Sequence, residues 1–189
     1  MVTRTFIEES QLARTLIENE PSLKEKLKKY RELEILDNRG NFHMMYRLGS
    51  ITHQEEEFHF AVRTAKRPEY FVNPDLIEVA QGDLEHCAQQ YQKIYDNPNG
   101  NLLVPKFAIG VSFDEFSGTL GHRLLITEDL THGGKRRFER DIPPDAAQFD
   151  GLVYCVDFDL LSMGDEIEAK EYAEKPLFFS KDYVINLSL

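Results

Sequence analysis

The chain has 189 residues, 41% hydrophobic and 29% charged, which suits one packed domain and excludes a mainly disordered chain. Its net charge of -11 disfavours nucleic acid and anionic membrane as partners and favours a protein with a basic surface. Cys87 and Cys155 have no metal-type spacing, and no apolar run reaches signal-peptide or membrane-span length, so a reduced, cytoplasmic protein without a membrane anchor is expected.

Residues 8 to 19 place Leu12, Leu16 and Ile17 at helical spacing. Pro21 then sits where a second helix can begin, with Leu23, Leu27, Tyr30 and Leu33 as its apolar stripe. Lys24, Lys26, Lys28 and Lys29 alternate with acidic residues and read as a solvated face. From Glu34 onward the pattern changes to strands. Asp37-Asn-Arg-Gly40 is a turn signal, Phe42 to Leu48 is strand-like, and Gly49-Ser50 marks another turn. In 58–62 the apolar and polar positions alternate, with Phe58, Phe60 and Val62 on one face and His59, Ala61 and Arg63 on the other.

Beyond Pro68, residues 75 to 95 predict a helix carrying Leu76, Ile77, Val79, Ala80, Leu84, Ala88 and Tyr91, with Gly82 as a possible split. Further strands are expected over 102–111, 122–127 and 152–156, and strand character returns over 177–189, after an acidic stretch at 162–175. The charge is uneven along this half: residues 131–140 hold 4 basic and 1 acidic residue, whereas 141–189 hold 11 acidic and 3 basic, net -8. These elements define an α+β class: an antiparallel sheet with an N-terminal helix pair and one packed central helix. They form a single domain over 1–189, divided into a helical segment (1–34), an α+β region (35–130) and an acidic C-terminal region (131–189).

Several residues within 35–130 resemble the small lobe of protein kinases and aminoglycoside-type phosphotransferases. They are Arg39-Gly40-Asn41-Phe42, Phe60-Ala61-Val62-Arg63, the helix containing Glu85, Val104-Pro105-Lys106-Phe107, and Leu124 through Leu130. The resemblance implies a glycine turn at Gly40 and Asn41 that approaches phosphates, a strand cation at Arg63 or Lys66, a helix glutamate at Glu85 that holds it, and a hinge after Thr127 that receives adenine. It further implies Asp141 as the group orienting an acceptor hydroxyl and Asp157, with Asp159, as magnesium ligands. The chain departs from that pattern at several points. Only Gly40 falls in the three-glycine register, arginine replaces the strand lysine, Ala146 stands where a loop asparagine is expected, and ten residues separate Leu130 from Asp141. That interval is too short for the helices that support a catalytic loop.

The composition and these departures together favour a non-catalytic protein-binding or regulatory module without a cofactor. Its acidic surface, formed by Asp157, Asp159, Asp165, Glu166 and Glu168, would neutralise a basic partner as inhibitor or immunity-type proteins do. The alternative is a minimal phosphotransferase using magnesium and ATP. The histidines show no metal-binding motif such as H-E-x-x-H, and Cys87 and Cys155 fall within apolar patterns that suit a core.

Overall fold

The computed structural model describes residues 3–37, 42–71, 73, 75–97, 102–113, 123–131, 146–149, 152–155 and 184–187. The first helix, α1 (Phe6–Glu18), starts with a capping box in which the Thr5 hydroxyl accepts from the Glu8 N–H and the Glu8 carboxylate accepts from the Thr5 N–H at 2.8 Å. Helix α2 (Pro21–Lys28) has proline in its first turn, where the missing N–H leaves no helical bond unmade. These are the two short amphipathic helices that the apolar spacing predicts.

Strands β1 (Ile35–Asp37), β2 (His43–His53) and β3 (Glu56–Ala65) lead to helix α3 (Leu76–Asp96). Among the described residues, strands β4 (Leu102–Leu103), β5 (Ala108–Phe113), β6 (Leu124–Glu128), β7 (Ala146–Phe149), β8 (Leu152–Cys155) and β9 (Val184–Leu187) follow. Six strands form one sheet in the order β1-β2-β3-β6-β5-β9, antiparallel except for the parallel β5–β9 pair. The other three form a second sheet, β4-β8-β7, with β4 parallel and β7 antiparallel to β8. The α+β class, the helix pair and the central helix are therefore present, and no helix among the described residues is long and apolar enough to cross a membrane.

The large sheet is buried on both faces. On one, Ala13, Ile17, Leu23 and Leu27 of the helix pair pack against Leu48, Phe60, Val62, Ile109, Leu124 and Ile126. On the other, Leu84, Cys87, Ala88 and Tyr91 of α3 pack against Ala108 and Leu125. Strand alternation explains the division, since Leu124 and Ile126 point one way and Leu125 the other. The Phe60 and Phe107 rings, 5.5 Å apart and tilted by 50°, occupy the centre of the first layer.

Three local expectations are corrected. Gly49-Ser50 is not a turn, because β2 continues through it to His53, and the chain reverses at Gln54 and Glu55 (φ 49° and 68°), the positive angles of a two-residue hairpin loop. Gly49, at φ 142°, instead follows a β-bulge: Arg47 pairs with Ala61 and Gly49 with Phe60, leaving Leu48 as the extra residue. Gly82 does not split α3, which is buried on all sides from Gln81 to Ala88, so packing overrides glycine's low propensity. The single strand expected over 102–111 is two strands in different sheets, separated by a segment containing Pro105.

Candidate functional site

Strand β2 carries Met45 and Arg47 on one face, two residues apart, and the opposite face holds the core residues Tyr46 and Leu48. Beside Met45 lies Arg63, its cross-strand partner on β3. Together with Leu36 of β1, Tyr91 of α3, Pro105 and the segment Thr127–Thr131 at the end of β6, Met45 and Arg63 line a cleft that is open to solvent. Its walls are mainly apolar, and the chain turns away from the sheet there, after Glu128.

Hydrogen bonds fix the polar residues of this cleft. Asp129 donates its N–H to the His59 carbonyl at 2.9 Å, extending the β3–β6 ladder by one residue. The Asp129 Oδ1 then accepts from the Thr131 N–H at 2.8 Å, closing a local turn that places Leu130 between them in the cleft wall. Glu128 Oε2 accepts from the Lys106 N–H at 3.1 Å. Burial pushes the Glu128 carboxyl above the ordinary range, and attraction to Lys106 opposes that shift.

Of the residues singled out from sequence, Arg63 and Glu85 are both buried, at 4% exposure each. The Arg63 guanidinium donates towards Cys87 Sγ and Met45 Sδ, each at 3.8 Å, so the strand cation stands at the cleft wall among sulfur atoms. Lys66 lies just past the end of β3 and donates its N–H to the Phe42 carbonyl at 2.8 Å. Glu85 lies on α3, and its charge acts on Arg123, whose pKa is lowered by burial and partly restored by that carboxylate. Gly40, Asn41, Asp141, Asp157, Asp159, Asp165, Glu166 and Glu168 lie outside the described residues. Among the described residues, no group of three or more His, Cys, Asp or Glu side chains is arranged to hold a metal ion.

The strand expected over 122–127 corresponds to β6 (Leu124–Glu128), whereas Leu36, Met45, Arg47 and Thr131 were not singled out from the sequence. The period-2 pattern could have put Met45 and Arg47 on Arg63's side of the sheet. Two of the side-chain partners of Arg47, Asp129 and Thr131, are 82 and 84 residues away and carry no local signal. No family model, no curated protein and no solved structure matches this chain.

Proposed function

We propose that the chain is a non-catalytic binding or regulatory module whose cleft accepts a flat, uncharged ring of the nucleobase type. The observation carrying this reading is the convergence of Leu36, Met45 and Leu130, from three separate segments, on one apolar cleft bordered by the 127–131 backbone. The kinase-like resemblance agrees with it in one respect. Strands β1, β2 and β3, helix α3 and strands β5 and β6 follow in the order that resemblance implies, and the cleft lies where the last strand leaves the sheet. Regulation would come through a protein with a basic surface, drawn by the net charge of -11.

Catalysis has less support. A guanidinium at 4% exposure between two sulfur atoms is poorly presented to a phosphate, and arginine does not replace a compact ammonium. Calorimetric titration with adenosine and with ATP plus magnesium tests the reading. Binding of both ligands with comparable affinity, weakened by Leu36→Asp, is the expected result. No binding of either at millimolar concentration would refute it, and magnesium-dependent ATP binding abolished by Asp157→Ala would favour the phosphotransferase.

A further inference from the structure

We infer that Arg47 is a positioning residue that sets the width of the cleft by tying its two walls together, an inference that rests on reading the cleft as a ligand site. All three guanidinium nitrogens of Arg47 are engaged. Nε donates to Asp129 Oδ2 at 3.1 Å, Nη1 to Glu34 Oε2 at 2.8 Å, and Nη2 to Thr131 Oγ1 at 3.1 Å. The Thr131 hydroxyl itself donates to Asp129 Oδ1, and the Arg47 N–H donates to the Glu34 carbonyl at 2.9 Å. Glu34 immediately precedes β1, which supplies Leu36 to one wall, while Asp129 and Thr131 flank Leu130 in the other. One side chain therefore links the two segments that carry the walls of the cleft.

The burial of the partners indicates where this clasp has its effect. The Asp129 side chain is 4% exposed and the Glu34 side chain 62%, so the Asp129 contact is the shielded one and the Glu34 contact is largely screened by water. Removing Arg47 leaves the Asp129 carboxylate buried without its cation, and the 129–131 turn loses the partner holding it towards β2. Lysine cannot replace this three-way fork, because its ammonium lacks the planar array of donors. The clasp is also built into the strand geometry: Arg47 is the last residue of β2 in regular register before the bulge, which keeps it on the same face as Met45.

The test combines hydrogen exchange with calorimetry on the full chain, using adenosine as the probe. In Arg47→Met, the Asp129 and Thr131 amides should exchange about tenfold faster or more, while amides of α1 and α2 keep their wild-type rates, and adenosine affinity should fall about tenfold. Added adenosine should slow exchange at 129–131 in the variant, and Arg47→Lys should behave as Arg47→Met. If Arg47→Met does not fold, Thr131→Val removes only the hydroxyl between Arg47 and Asp129, and the same two readouts should move. Unchanged exchange at 129–131, unchanged affinity, or full rescue by lysine would overturn the inference. A wild-type protein that binds no adenosine while the exchange rates respond as described would overturn the cleft reading instead of the clasp.

Discussion

The bulge in β2 gives the sharpest stability test, because Gly49→Ala adds one methyl group at a position where two independent costs can be read from the structure. The backbone angle of 142° is one that L side chains rarely adopt, and holding a residue in such a region costs about 1–3 kcal/mol. The added Cβ would also lie 3.1 Å from Leu23 Cδ2, and Leu23 is only 3% exposed, so α2 or its side chain must give way. Together these predict a loss of about 2–4 kcal/mol, or roughly 4–16 °C in Tm for a chain of this size. Urea denaturation of wild type, Gly49→Ala, Leu23→Ala and the double variant separates the two terms. If the contact matters, Gly49→Ala costs less in the Leu23→Ala background. Additivity within about 0.5 kcal/mol would show that Leu23 does not contribute, and an unchanged midpoint for Gly49→Ala would refute the bulge geometry itself.

Two further tests address the capping box and the half-buried Glu128. Thr5→Ala removes the acceptor of the Glu8 N–H at the start of α1 and should cost about 1 kcal/mol in denaturant unfolding. Glu8 has a carboxyl pKa lowered by its hydrogen bonds from Thr5, so its contribution is present above the ordinary glutamate range and fades as pH falls through the folded value; Glu8→Gln should flatten that acid limb. Glu128 has the opposite sign. Its pKa is raised by burial, so the folded state holds the proton longer, and stability falls as pH rises from the ordinary value of 4.5 through the folded one. Glu128→Gln keeps an acceptor for the Lys106 N–H and should remove that decline, whereas an unaltered pH profile would contradict the assigned shift.

What the sequence made legible follows from how local each signal is. Pro21 and the spacing of Leu12, Leu16 and Ile17 revealed the helix pair, and the alternation of Phe58, Phe60 and Val62 revealed β3, because each depends on a short repeat set by backbone geometry. The bulge was not legible, since Gly49 has the same local meaning in a turn as beside an extra strand residue, and only the register against Phe60 distinguishes them. Strand β7 was missed because Ala146-Ala-Gln-Phe149 has little β propensity and is a strand through its pairing with β8. The candidate site was half legible for the same reason. Its Glu128–Leu130 segment follows an obvious apolar strand, but Arg47 meets Asp129 and Thr131 only after the sheet has assembled.

The most direct measurement of the central claim is an amide chemical-shift titration with adenosine. The expected shifts cluster at Leu36, Met45, Leu130 and Thr131, which reach the cleft from three separate segments of the chain. No shifts up to millimolar adenosine, or shifts confined to the β2–β3 hairpin around Gln54 and Glu55 at the far end of β2, would contradict it.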